Sequence, residues 1–349
     1  MDALRRLLGL RPAEETPTKP AVPQDAIVEA KPVPPTDGKV VSASELDTHP
    51  LPNIELAEPP AGKLTIELDG RTRQLPPLET VMPNSSTGAR LIVGQRSDIG
   101  QVRENNQDSM FTMVASMSTT EERPDFGLFI VADGMGGHED GEKASAMTVQ
   151  VVSREVVNNI FLPLLYNEAG GDAERPTISE VLRSAVQKAN QIVSEKVPEG
   201  GTTVTAAAIM GNLAYIAHVG DSRAYLITPA SIDKLTRDHS LVERLKELDH
   251  INEEEAIDHP QSNVLYRAIG QSESLEVDAI TRQIPPGAYL LLCSDGLWNL
   301  VPQPELLEIV SKSNGNPQAA CEKLVALANE RGGRDNITVV IIRISPVQS

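Results

Sequence analysis

The sequence predicts an α+β domain behind a proline-rich leading segment. Three observations carry this prediction. Two runs with helical periodicity stand one after the other, two strand-like runs follow around a Gly-Asn turn, and helices and strands come in blocks rather than in strict alternation. A parallel α/β sheet would alternate them, so the blocks favour an α+β arrangement.

Taken in order, residues 126–132 (Phe-Gly-Leu-Phe-Ile-Val-Ala) are apolar over a strand's length and read as a buried strand. Over 142–165, Ala146, Val149, Val152, Val156 and Ile160 recur at helical spacing. Residues 178–197 repeat the pattern with Ile178, Leu182, Ala185, Ala189 and Ile192. Residues 203–210 and 213–227 read as strands separated by the turn signal Gly211-Asn212. Residues 290–293 form another apolar strand, and 305–311 and 317–330 read as helices before a last strand at 337–342.

The chain has 349 residues, 40% of them apolar, enough for one large domain plus a tail. Aromatic residues are only 3%, so the core is mostly aliphatic. Residues 1–89 hold 14 of the 26 prolines and few periodic runs, the composition of a disordered linker. Within them, 1–10 could form a short basic amphipathic turn and 63–75 a small hairpin around Asp69-Gly70. The expected division is a tail over 1–89 and a folded domain over 90–345. A net charge of −18 disfavours nucleic acid as a partner. No apolar run is long enough to span a bilayer. Residues 1–10 are too short for a signal peptide, and Cys293 and Cys321 make no disulfide framework. A cytoplasmic monomer is expected.

Acidic residues gather where strands end. The most informative segment is Asp133-Gly134-Met135-Gly136-Gly137-His138, directly after the 126–132 run. It presents a carboxylate and bare carbonyls at a strand tip, where glycine lets the backbone approach an ion or a phosphate. Oxygen ligands of this kind suit Mg²⁺ or Mn²⁺. Asp-Gly also makes ordinary turns, so this segment alone leaves a plain turn open. The design recurs in Cys293-Ser294-Asp295-Gly296-Leu297-Trp298 and in Val219-Gly220-Asp221-Ser222-Arg223. Gly333-Arg334-Asp335-Asn336 stands just before the last strand, and Ser97-Asp98-Ile99-Gly100 through Arg103 to Gln107-Asp108 near the front of the domain. Such repetition argues for one common site.

In this order and spacing these motifs, with Gly201-Thr202-Thr203, Leu235-Thr236-Arg237-Asp238-His239 and Arg267-Ala268-Ile269-Gly270, resemble the metal-dependent protein phosphatase family (PPM, type 2C) in its bacterial form. The resemblance covers roughly residues 90–345. It implies a four-layer αββα sandwich of two antiparallel sheets flanked by helices. It also implies hydrolysis of phosphoserine or phosphothreonine in proteins that Ser/Thr kinases phosphorylate. In that chemistry a water bridging two divalent ions, Mn²⁺ or Mg²⁺, attacks phosphorus in line. On the matching positions, Asp133 would bridge the ions with the Gly134 carbonyl on one of them, and Asp295 and Asp335 would hold the other. Three carboxylates against two divalent ions leave about one positive charge, which favours a phosphate dianion. Asp108 would orient metal-bound water, and Arg103 would clamp phosphate through its planar fork; a surface salt bridge is the plain alternative for Arg103. Asp221 matches the Asp of a third, looser ion in bacterial members, shared there with the match of Asp295; a turn cap is its alternative. Asn336 reads as a capping or orienting residue rather than a ligand. His138 could protonate the leaving alkoxide or be a structural residue at a helix start.

Three positions depart from other branches of the family. Gln107 stands where some members carry Glu, Asn299 where animal members have an Asp near the third ion, and Met135 where they place a His. Residues 239–263, where the family has a flap beside the site, carry seven acidic and two basic residues. They read as a solvated face over Leu241, Leu245 and Leu248, or as a flap preferring phosphopeptides with basic flanks. Cysteine-phosphatase chemistry needs Arg six residues after Cys; Cys293 has Asn299 there and Cys321 has Leu327. No His/Cys cluster supports a zinc site. The alternative to an enzyme is a phosphatase-like module that binds phosphoproteins without turnover, against which the full set Asp133, Asp295, Asp335, Asp108 and Arg103 argues.

Overall fold

The computed structural model describes residues 90–116, 125–137, 139–166, 176–252, 255–256, 259–261 and 263–345. The expectations for the 1–89 tail, its amphipathic turn and hairpin, and for His138 lie outside the described residues.

Two antiparallel sheets stack face to face. One holds β1 (Arg90–Asp98), β7 (Arg223–Ile227), β8 (Ile232–Lys234), β10 (Tyr289–Cys293) and β11 (Ile337–Ser345), in the order β1-β11-β10-β7-β8. The other runs β2-β3-β5-β6-β9, with β2 (Asp108–Ala115), β3 (Phe126–Met135), β5 (Val204–Met210), β6 (Leu213–Val219) and β9 (Asp278–Gln283). The two-residue β4 (Gly201–Thr202) pairs with the end of β3. Helices α1 (Asp140–Val156) and α3 (Ile178–Lys196) cover the second sheet; α6 (Gln303–Ser311) and α7 (Pro317–Glu330) cover the first.

Strand periodicity explains the four layers. Successive side chains of a strand point to opposite faces. Along β3, Leu128, Ile130 and Ala132 meet the helices, while Phe129 and Val131 enter the layer between the sheets. Along β11, Val339 and Ile341 meet α6 and α7, while Val340, Ile342 and Ile344 face the other sheet. Strands buried on both faces read as near-continuous apolar runs, as β3 does over 126–132 and β11 over 339–342. The αββα sandwich implied by the resemblance is the observed fold.

Local chemistry sets the helix ends. Thr177 and Glu180 form a reciprocal capping box at the start of α3. The 142–165 helix starts two residues earlier than expected and is not uniform. After α1 a π turn (Val157–Phe161) leads into a short helix, α2 (Leu162–Tyr166). The wider turn buries Ile160 and lets Phe161 stack on Phe126, with centroids 5.5 Å apart.

One expectation needs correction. The 213–227 run is two strands in different sheets, β6 and β7, broken at Gly220-Asp221-Ser222. Gly220 has φ +107°, a conformation that suits glycine, and a Cβ there would lie 2.6 Å from Thr203. Apolar residues continue on both sides because both strands are buried, so the pattern hides the break. In the 239–263 segment, helix α4 (Leu241–Glu247) buries Leu241, while Leu245 and Leu248 are half-buried.

Candidate active site

The acidic motifs converge at one end of the sandwich. In one sheet Asp108 at the start of β2 pairs directly with Asp133 near the end of β3. In the other, β10 ends at Cys293, opposite Arg223 at the start of β7 and Val339 in β11. Asp295 therefore follows the end of β10, Asp221 precedes β7, and Asp335 precedes β11. Hydrogen bonds tie the two sheets together at this end. Ser294 Oγ donates to Asp108 Oδ2 at 2.7 Å, and the Gln107 amide donates to Asn336 Oδ1 at 2.8 Å.

Each acidic residue is held by its backbone setting. β3 runs on past the expected strand end, so Asp133 and Gly134 lie within it. The Asp133 amide donates to Thr203 Oγ1 at 3.0 Å, and its carbonyl accepts from Thr202 Oγ1 at 2.8 Å. Gly134 sits against the first turn of α1, where a Cβ would lie 2.2 Å from the Gly141 carbonyl oxygen. Asp295 opens the single-turn helix α5 (Asp295–Trp298). Ser294 occupies its N-cap position, yet its hydroxyl bonds Asp108 and accepts from the Thr338 amide at 3.0 Å rather than capping the helix. Asn336 orients rather than points outward: its Nδ2 donates to the carbonyls of Ile99 and Asn105, at 2.9 and 3.0 Å. It thereby holds the loop that carries Arg103. Arg103 Nη2 donates to Asp335 Oδ2 at 2.6 Å.

The charges are packed against their own preference. Burial, and then the charges of Asp295 and Asp335, push Asp108 up to about 7 despite hydrogen bonds from Ser294 and Thr338. Asp295 is pushed up to about 6, first by burial and then by Asp335. Asp133 stands well above the usual carboxylate range through burial and repulsion from Asp108, Asp295, Asp221 and Asp335. Asp221 is raised by burial and by Asp295, with Arg223 opposing. Desolvation and like charge both favour the neutral carboxyl, and a bound cation inverts that preference.

The donor set fits divalent ions. Asp108 Oδ1 and Asp295 Oδ1 are buried oxygens with no hydrogen-bond partner, a costly arrangement unless something positive meets them. All the donors are oxygens, which suits Mg²⁺ or Mn²⁺. Among the described residues no group of three His, Cys, Asp or Glu side chains is arranged to hold an ion.

The structure thus brings together Asp108, Asp133, Gly134, Asp221, Asp295, Asp335 and Arg103. Sequence reasoning missed Ser294 and Thr338, which hold Asp108, and the hydroxyls that brace Asp133. Their only sequence signal is adjacency: each lies within three residues of an acidic motif or in the quoted Gly-Thr-Thr.

The description "Protein phosphatase 2C" belongs to a family model that matches residues 101–325. The chain is 38% identical over 248 residues to the serine/threonine phosphatase stp of Listeria monocytogenes, covering 71% of this chain and 93% of that protein. It superposes on the crystal structure of the Mycobacterium tuberculosis serine/threonine phosphatase PstP/Ppp with a TM-score of 0.60 at 32% identity, over 73% of this chain and 99% of that one. The catalytic domain of a serine/threonine protein phosphatase PstP, solved in complex with two manganese ions, matches with a TM-score of 0.58 at 31% identity, over 73% and 98%. A family match over residues 101–325, well over half of the chain, joined to relatives covered over nearly their whole length, places the chain in the protein phosphatase 2C family.

Proposed function

We propose that the chain hydrolyses phosphoserine and phosphothreonine in proteins, using Mn²⁺ or Mg²⁺. The observation that carries this reading is the gathering of carboxylates at one end of the sandwich, with Asp108 Oδ1 and Asp295 Oδ1 buried and unpartnered, beside one half-exposed guanidinium. Asp133 with the Gly134 carbonyl, together with Asp295 and Asp335, would hold two ions, and Asp221 with Asp295 a looser third. When bound, such ions acidify a water to a nucleophile at neutral pH and neutralise phosphoryl oxygens. The remaining work falls to the chain itself. Asp108, fixed by Ser294, presents its free Oδ1 to orient water. Arg103 at the rim receives the phosphate in a planar fork. His138 takes the role of proton donor to the leaving alkoxide. The substrates are cytoplasmic targets of Ser/Thr protein kinases, and the chain acts as a monomer; the unpaired Cys293 and Cys321 suit a reducing compartment.

Phosphate release from a phosphothreonine peptide, measured with Mn²⁺, with Mg²⁺ and with EDTA beside Asp295→Asn, tests this. Turnover should require an ion and fall about 10²-fold or more in the variant. No turnover with any divalent ion from a folded chain would assign a phosphoprotein-binding module instead.

A further inference from the structure

Arg223 and Trp298 have no part in the reading above. Arg223 opens β7, directly after Gly220-Asp221-Ser222. Its guanidinium is mostly buried and held along its edges. Nε donates to both oxygens of Asp238, at 3.1 and 3.0 Å, and Nη2 to Asp238 Oδ2 at 2.6 Å. Nη1 donates to the Tyr225 hydroxyl at 3.2 Å. Its face is taken too: Cζ lies 3.4 Å from the centroid of the Trp298 ring, a cation–π contact in a largely desolvated place.

Trp298 ends the helical turn that Asp295 begins. Its indole N–H donates to the Asp221 carbonyl oxygen at 3.0 Å. The ring is therefore fixed on its face by Arg223 and at its edge by Asp221. These contacts close a loop. Asp221 runs through the chain to Arg223, Arg223 stacks on Trp298, and Trp298 bonds back to Asp221 while standing one turn from Asp295. The two strands concerned are paired neighbours, with Cys293 opposite Arg223. The loop thus ties together the buried Asp221 and the half-buried Asp295, whose charges act on each other.

We propose that Arg223 and Trp298 are positioning residues that set the spacing of Asp221 from Asp295 and so govern the affinity of the looser ion held by that pair. The proposal rests on the reading that Asp221 and Asp295 share a divalent ion. A site with few protein ligands tolerates little misplacement of either one. Trp298→Phe removes the N–H donor and keeps an aromatic face for Arg223.

Mn²⁺ binding to the full chain, followed by the electron paramagnetic resonance signal of free Mn²⁺, is compared for the unaltered chain, Trp298→Phe and Asp221→Asn. The weak class should disappear in Asp221→Asn. In Trp298→Phe it should weaken about tenfold while the tight class stays unchanged, with the Tm lowered by only a few degrees, the cost of one lost hydrogen bond to a buried carbonyl. A weak class lost in Asp221→Asn yet intact in Trp298→Phe overturns the positioning role and leaves the ion reading standing. Binding unaltered by Asp221→Asn overturns both. Should Trp298→Phe not fold, the unaltered chain decides, because Trp298 is its only tryptophan. Its emission during a Mg²⁺ titration should change with the weak class; a signal that follows only the tight class, or none, overturns the proposal.

Discussion

Arg103 and Asp335 form a short ion pair, 2.6 Å long, but both side chains are substantially exposed, so the pair adds little to stability. Its worth is geometric, since it parks a planar cation over the carboxylate ring. Arg103→Lys keeps the charge and loses the fork. The KM for a phosphothreonine peptide should rise about tenfold while kcat changes far less. An effect on kcat alone would move Arg103 from phosphate capture into the chemical step. The buried aspartates make a different prediction. In the folded, ion-free chain Asp108 is raised to about 7 and Asp295 to about 6, against about 3.9 for an unfolded aspartate. Between about pH 4 and pH 7 these two carboxyls therefore hold more protons in the native state than in the unfolded one, and their contribution to stability falls as pH rises through that window; His218, held down to about 4 by burial, works in the opposite sense below about pH 6.5. Thermal unfolding of the chelator-treated chain should show a higher Tm at about pH 5 than at about pH 7.5, and replacing Asp108 with Asn should shrink that difference. Saturating Mg²⁺ should raise the Tm more at the higher pH, because ionised carboxylates bind it best. A pH dependence left unchanged by Asp108→Asn would mean that this carboxyl ionises in the ordinary range.

At the scale of elements, the site depends on β3 and α1 meeting backbone to backbone. A Cβ on Gly134 would lie 2.2 Å from the Gly141 oxygen and 2.7 Å from the Gln107 oxygen, both main-chain atoms that cannot swing away. Around Gly137 the space is open, and its φ needs no glycine. Gly134→Ala should cost about 1–3 kcal/mol by overpacking, and Gly137→Ala should stay within about 0.5 kcal/mol of the unaltered chain. Denaturant midpoints measure both; equal effects would mean that the β3–α1 contact is looser than the structure has it. The sequence treats these glycines alike, which marks where pattern reading stops. The α3 and α7 helices are legible because one face is apolar at helical spacing. β9 (Asp278–Gln283) is not, because as an edge strand it buries little and reads as polar loop. β1 likewise alternates too weakly to stand out, with only Leu91 and Gly94 buried. The acidic ligand candidates are legible through their glycines. Their supports, Ser294 and Thr338, are not, because a hydroxyl inside a strand pattern does not say which carboxylate it will meet across the sandwich.

At the scale of the whole molecule, the domain closes on its own ends. β1 pairs with β11 residue for residue, from Arg90 opposite Ser345 to Asp98 opposite Ile337. Leu91 packs in the layer between the sheets, and its amide donates to Asp125 Oδ2 at 3.0 Å. The same strand delivers the chain to the site, since the loop after it carries Arg103 and is held by Asn336 and by a Gln101 amide bond to the Gly333 carbonyl at 2.7 Å. With its first and last strands paired, we propose 90–345 as the unit that folds and turns over, the division expected from the sequence. A chain beginning at Arg90 should unfold cooperatively and hydrolyse a phosphothreonine peptide within about twofold of the full chain. A chain beginning at Ile99 should do neither, because it strips an edge strand from β11 and frees the Arg103 loop from its anchor. Calorimetry and phosphate release on the two truncated chains decide the point. Lost hydrolysis in the Arg90 chain would make residues 1–89 part of the catalytic unit, and full activity in the Ile99 chain would show that β1 does not position the loop.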